Sequence, residues 1–246
     1  MINEVRKTMK SYGVCLSLFL SMPIFAQTNL IDEALTKNQP VQIVDLEEMA
    51  KVNEAQYNQC MLLKNDYSKA LPFCRTSAEA GYSDAQYIVG VLYENGFGVE
   101  VDYKEAIKWY EKAALQQNIY AELNLANMYF AGKGVTKDPA KALPLVIHSA
   151  DSGFSLAQNS LAIAYAKAEG VKQDWKMANS WWKKAAEQGL AESQNSYGLS
   201  LCKGRGIEKN VEEGKVWVEK ALKQGFEPAK ISLDYCNSWR ALMPFL

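Results

Sequence analysis

Apolar residues recur along this chain at helical spacing, and the spacing itself recurs. In the stretch 84–96, Ala85, Val89 and Tyr93 fall four apart and share one face of an α-helix. A second stripe follows at Ala106, Trp109 and Ala113, spaced by three and four. A step of 36 residues finds the same pattern again. Ala85 leads to Ala121, Ala157, Ser193 and Ala229; Tyr57 to Tyr93, Tyr129, Tyr165 and Leu201; Asp66 to Asp102, Asp138, Asp174 and Asn210. Ala70 leads to Ala106, Ala142, Ala178 and Gly214, and Phe73 to Trp109, Leu145, Trp181 and Trp217. No insertion or deletion breaks this register from residue 57 to 236.

Each column has a physical role. Gly90, Ala126, Ala162 and Gly198 are small where two backbones must approach. Gly96 and Gly98, repeated as Gly132 and Gly134 and as Gly204 and Gly206, tolerate positive φ and end the first helix. The aspartates and Asn210 stand where an N-cap would accept from free backbone amides of a second helix, and Pro139 follows Asp138 at a position that suits proline. Gly81, Gly153, Gly189 and Gly225 stop that second helix, whereas Gln117 replaces the glycine once and is expected to end its helix differently. Ala168 replaces the first loop glycine of its repeat, and a different turn is expected there too. Pro72 and Pro144 share one position inside the second helix, where each removes a hydrogen bond and should bend it.

The predicted product is an all-α protein, an α/α superhelix of helix–turn–helix repeats. A single such repeat cannot bury its apolar stripe, but stacked neighbours can. Four repeats are complete, at 83–118, 119–154, 155–190 and 191–226. A degenerate repeat at 45–82 precedes them, with Cys60 falling in its turn, and 227–246 is expected to supply a capping helix covered by Trp239, Met243, Pro244 and Phe245. The run from Ala85 to Ala114, and again from Ala157 to Gly189, resembles the SEL1-like repeat, a relative of the tetratricopeptide repeat. The resemblance covers about residues 46–236 and implies scaffolding or regulation through protein contacts, often by exported bacterial proteins.

The segment before the repeats reads differently. Arg6, Lys7 and Lys10 precede an almost wholly apolar or small stretch at 12–25, with Ala26 before Gln27. Residues 1–26 therefore read as a secretory signal peptide cleaved near Ala26/Gln27, and 27–44 as a polar lead-in. The apolar stretch is short of the roughly 20 residues a spanning helix needs, which disfavours an uncleaved anchor, so no membrane span is expected after cleavage. Cys15 lacks a leucine three residues earlier and is a poor lipoprotein cysteine. The expected location is periplasmic or secreted.

Composition narrows the chemistry. Lys and Arg number 27 against 28 Asp and Glu, so no basic surplus exists for nucleic acid. One histidine in 246 residues disfavours most hydrolase triads and His-rich metal sites. That residue, His148, stands where sister repeats carry Lys112, Lys184 and Lys220, and reads as a surface cation near a helix C-terminus. No cofactor and no metal are expected. After the leader, Cys60, Cys74, Cys202 and Cys236 remain, without C-x-x-C spacing. An even count in an exported chain favours disulfides, Cys60 with Cys74 and Cys202 with Cys236, over separately buried thiols.

The chain also resembles cysteine-rich SEL1-like proteins, some of which are linked to penicillin binding or β-lactam hydrolysis, and this resemblance implies a further, enzymatic alternative. Ser180-x-x-Lys183 and Ser200-x-x-Lys203 fit S-x-x-K, and Ser193-Gln194-Asn195 fits S-x-N, but no Lys-Ser/Thr-Gly completes the set. The chain is therefore read as no enzyme.

By analogy with tetratricopeptide arrays, a partner would lie on the concave face, along first-helix residues outside the packing columns. These are Tyr87, Val91 and Glu94; Leu123, Asn127 and Phe130; Asn159, Ile163 and Lys167; and Asn195, Leu199 and Lys203. Asparagine can bond an extended peptide at both donor and acceptor. The partner is expected to be another protein: a toxin, a sensor or an envelope component. The resemblance implies a sharper alternative, an immunity protein neutralising a toxin that acts in the periplasm.

Overall fold

The computed structural model describes residues 43–63 and 66–238, with side chains from residue 51 onward. Residues 1–42, where a signal peptide and lead-in are expected, and the segment from Trp239, expected to cover the cap, lie outside these residues. Eleven helices and no strand are found among the described residues: α1 (Ile43–Leu62), α2 (Tyr67–Glu79), α3 (Ser83–Asn95), α4 (Tyr103–Ala114), α5 (Ile119–Ala131), α6 (Pro139–Asp151), α7 (Ser155–Lys167), α8 (Trp175–Glu187), α9 (Ala191–Lys203), α10 (Val211–Lys223) and α11 (Ala229–Asn237). The chain divides into two units, residues 1–118 and 119–246. Within each unit consecutive helices pack on one another, and in the second α9 also meets α11. This is the α/α solenoid that the 36-residue period predicts.

The caps form as the columns dictate. Asp102 accepts from the amides of Lys104 and Glu105, both at 3.0 Å, and Asp174 from those of Lys176 and Met177, both at 2.9 Å. Asp66, Asp138 and Asn210 each cap their own helix through one such bond. Core positions are small. Ala85, Ala121, Ala157 and Ala229 are fully buried, as are Ala106, Ala142 and Ala178. A Cβ on Gly98 would lie 2.6 Å from the Tyr67 carbonyl carbon and the Ser68 amide, so the second loop glycine lets the turn sit against the start of the preceding second helix.

Three local expectations are corrected. Gln117 keeps the glycine ending with φ 61°, and Ala168 keeps the left-handed turn with φ 60°, close to 72° at Gly96 and 67° at Gly204. The amide pattern of the repeat prevails there over the local strain of a Cβ. Cys60 lies in α1 rather than in a turn, because this helix runs to Leu62. That extension places Cys60 and Cys74 with Cα atoms 4.9 Å apart, and they are bonded; Cys202 and Cys236, at 5.5 Å, are bonded as well. Both α2 and α6 remain continuous helices through Pro72 and Pro144.

Candidate functional site: the first-helix rows

In the first unit the row comprises Tyr87, Val91 and Glu94 on α3, all half-buried. The Tyr110 hydroxyl donates to Glu94 Oε2 at 2.8 Å, and the Tyr87 and Tyr110 rings lie 6.1 Å apart. A tyrosine on α4 thus holds the outer side chains of α3 in place. The Cβ that Gly90 lacks would lie 2.5 Å from the same ring, so this glycine admits the tyrosine.

In the second unit the row separates into two kinds of residue. Leu123 and Asn159 are 5% and 6% exposed and belong to the interior. The expectation that they face a partner is corrected for both, because their neighbours already cover them. The Asn159 Oδ1 accepts from Trp182 Nε1 at 3.1 Å and from Ser193 Oγ at 2.9 Å, while Nδ2 donates to Glu192 at 3.2 Å. One side chain thereby ties α7 to α8 and α9. Phe130, Ile163, Asn195 and Leu199 are half-buried, and Asn127, Lys167 and Lys203 are exposed. Asn195 repeats the position of Asn159 but not its bonds. Val218 and Ala229 stand where Trp182 and Ser193 would be, and the Asn195 Oδ1 is buried without a hydrogen bond among the described residues. The Lys203 ammonium lies 4.9 Å from the centroid of the Tyr235 ring. Partial desolvation, with Arg205 nearby, holds its pKa below the usual lysine range.

His148 has a role that its sequence position does not reveal. Gln116, Gln188 and Gln224 donate to Gln86, Gln158 and Gln194 at 2.8–2.9 Å. In the repeat 119–154 both partners change, to Ser152 and Glu122. His148 Nδ1 there meets Glu122 Oε2 at 2.7 Å, although the Glu122 side chain is only 6% exposed. The histidine supplies the donor that the missing glutamine would have given.

The serines and lysines of these motifs have other partners or are buried. The Ser180 hydroxyl donates to the Met177 carbonyl, Lys183 reaches Glu187 at 3.9 Å, Ser193 is spent on Asn159, and Ser200 is buried. No cluster of three or more His, Cys, Asp or Glu able to hold a metal occurs among the described residues. No described helix is long and apolar enough to cross a membrane.

A cavity of about 370 Å³ opens in the second unit, and none of its lining residues belongs to the predicted rows. Its floor includes Tyr197 and Leu201. Its signal in the sequence is Leu201, which interrupts a column of four tyrosines.

Comparison with known proteins agrees with this architecture. The Sel1 repeat family model matches residues 83–118, 119–144, 155–190 and 191–226. No curated protein matches the chain significantly. Among solved structures, a protective antigen of uropathogenic Escherichia coli with an SLR fold is 34% identical with a TM-score of 0.70, over 78% of this chain and 43% of that one. The chain therefore spans less than half of that relative's length. A Sel1 repeat protein from Oxalobacter formigenes is 31% identical with a TM-score of 0.66, over 73% of this chain and 74% of its own. An immunity protein from Pseudomonas aeruginosa is 20% identical with a TM-score of 0.49, over 72% and 67%. That last likeness is too distant to bear on function. The matched repeats, their common 36-residue register and the two nearer relatives establish that the chain belongs to the Sel1 repeat family.

Proposed function

We propose that this chain is an exported, non-catalytic binding protein whose first-helix rows hold a protein partner. The observation that carries the reading is a division of labour on α7 and α9. Asn159 and Ser193 are consumed by packing, whereas Ile163 and Leu199 stay half-exposed further along the same helices, with Lys167 and Lys203 exposed beyond them. Apolar centres with a polar margin are the usual make-up of a protein-binding patch. Two disulfides support an oxidising compartment, since such bonds persist where thiols are not kept reduced. The leader reading adds that compartment's route, with cleavage near Ala26/Gln27.

Capture from an envelope extract with the tagged mature chain tests the reading. A specific protein should be retained, and Ile163→Asp with Leu199→Asp should weaken its retention at least tenfold while the helical circular dichroism stays unchanged. Retention equal to that of the parent would overturn the assignment to these rows. A captured toxin would make the chain an immunity protein, and a sensor or envelope component would make it a regulator.

A further inference from the structure

The columns explain why the second unit has a cavity between α8, α9 and α10. Tyr57, Tyr93, Tyr129 and Tyr165 occupy one position, and Leu201 follows them in the fifth repeat. The backbone there is unchanged. The N-cap amide of the following helix donates to the carbonyl of this residue at Tyr93, Tyr129, Tyr165 and Leu201 alike, at 2.9, 2.9, 3.0 and 3.0 Å. The leucine therefore stands at the position that a tyrosine holds in the other repeats, and it lines the cavity.

The surroundings of the missing ring are retained. In the first unit Arg75 pairs with Glu79 at 2.9 Å, and its charge is favoured by Glu79 and also by Tyr93 and Glu105. Three repeats later the same positions hold Lys183, Glu187, Leu201 and Glu213, with Lys183 and Glu187 3.9 Å apart. A cation and carboxylates thus frame both places, and only the phenol between them is absent. The ring of Tyr129 confirms the neighbourhood: Lys141, which occupies the repeat position of Glu213, lies 5.7 Å from its centroid. Val99 packs with Tyr93 on the first unit's core, and its counterpart Ile207 lines the cavity beside Leu201.

A second departure falls on the same wall. Val89, Leu125 and Leu161 share an aliphatic column, yet the next repeat has Tyr197. This residue is 4% exposed, packs edge-on against Trp217 with centroids 5.7 Å apart, and lines the cavity. Its hydroxyl makes no hydrogen bond among the described residues. Burial, with Glu213 and Glu187 nearby, pushes its pKa up, so the group stays a neutral donor and acceptor. The side chain thus puts a phenol on the cavity wall where sister repeats put an aliphatic group. The volume of about 370 Å³ lies at the small end of the range for binding pockets.

We propose that this cavity is an anchor pocket for a tyrosine side chain presented by a protein partner, which supplies in trans the ring that Tyr57, Tyr93, Tyr129 and Tyr165 supply in cis. Leu201 and Ile207 receive the ring, and Tyr197, Lys183 and Glu213 surround its polar end. Buried aromatic anchors of this type commonly carry much of an interface's affinity. The proposal rests on the reading of the chain as a protein-binding solenoid but not on the first-helix rows as the place of binding.

The test is a titration of the labelled full mature chain with the capped peptide Ac-Gly-Tyr-Gly-NH2, followed by heteronuclear NMR. Saturable shifts are expected at the amides of Ile207, Lys209 and Asn210. Leu201→Tyr fills the cavity from within and should weaken binding at least about tenfold while leaving the unfolding midpoint equal or higher. Tyr197→Leu, which restores the aliphatic column, should weaken it about threefold and serves if the first variant does not fold. Ac-Gly-Phe-Gly-NH2 should bind more weakly than the tyrosine peptide. The proposal is overturned by an absence of saturable shifts, by unchanged affinity in both variants, by a lysine peptide binding as well, or by p-cresol binding where the tyrosine peptide does not. The last outcome would mean a pocket for free phenols. The envelope capture with Ile163→Asp and Leu199→Asp reads the rows independently, so failure of one assignment leaves the other standing.

Discussion

At the scale of single residues, identical amino acids in one column have opposite energetic roles. Asn159 satisfies Trp182 and Ser193 inside the fold, and Asn159→Leu would leave two buried donors without acceptors. Each such loss costs about 1–3 kcal/mol, so a destabilisation of about 3 kcal/mol is expected in urea unfolding. Asn195 has a buried, unpartnered Oδ1, and Asn195→Leu should be neutral or raise stability by up to about 1 kcal/mol. Equal losses at the two sites would refute this account. The column was legible in the sequence, but the difference was not, because it depends on Val218 and Ala229 lying across two other helices. Gln117 and Ala168 give a second contrast. A side chain in the left-handed region costs about 1–2 kcal/mol, and glycine's extra freedom in the unfolded chain returns about 0.5–1 of it. Gln117→Gly and Ala168→Gly should each therefore gain about 0.5–1 kcal/mol in the same measurement.

At the scale of helices, a substitution is accommodated by a change one helix away. Helices, turns and caps were readable because a fixed period of 36 residues repeats them with few departures. The compensations were not, since they join positions far apart in the chain. His148 with Glu122 is one, and Gly214 with Cys202 another. Sister repeats place alanine where Gly214 stands. A Cβ there would lie 2.5 Å from Cys202 Sγ and 2.7 Å from the Gly198 carbonyl oxygen. The glycine makes room on α10 for the half-cystine of α9. Gly214→Ala should therefore destabilise by about 1–3 kcal/mol, as overpacking does. In a Cys202→Ala, Cys236→Ala background the penalty should shrink, because the sulfur is gone while the Gly198 contact remains. A double-mutant cycle of unfolding free energies measures the coupling. Strict additivity would remove the sulfur from the explanation.

At the scale of the molecule, one disulfide lies in the first described hairpin and the other joins α9 to α11, the last described helix, and the helices from α3 to α8 contain no cysteine. Stacked repeats draw stability from their neighbours, so a hairpin with one neighbour frays before one with two. Cross-linking counters this by restricting the unfolded chain. Sequence separations of 14 and 34 correspond to about 3 and about 4 kcal/mol in the chain-entropy treatment. The larger bond joins α9 to α11, a helix of only nine residues that a single hairpin contact would hold weakly. Reduction should therefore not lower protection uniformly. Hydrogen exchange in dithiothreitol should accelerate first in α1, α2, α10 and α11, while α6, α7 and α8 retain their protection until global unfolding. Replacing Cys202 and Cys236 together by alanine should reproduce the change in α10 and α11 and leave α2 protected. If exchange instead rises equally in all helices after reduction, each unit unfolds as one cooperative block, and each bond stabilises its whole unit rather than the helices it joins.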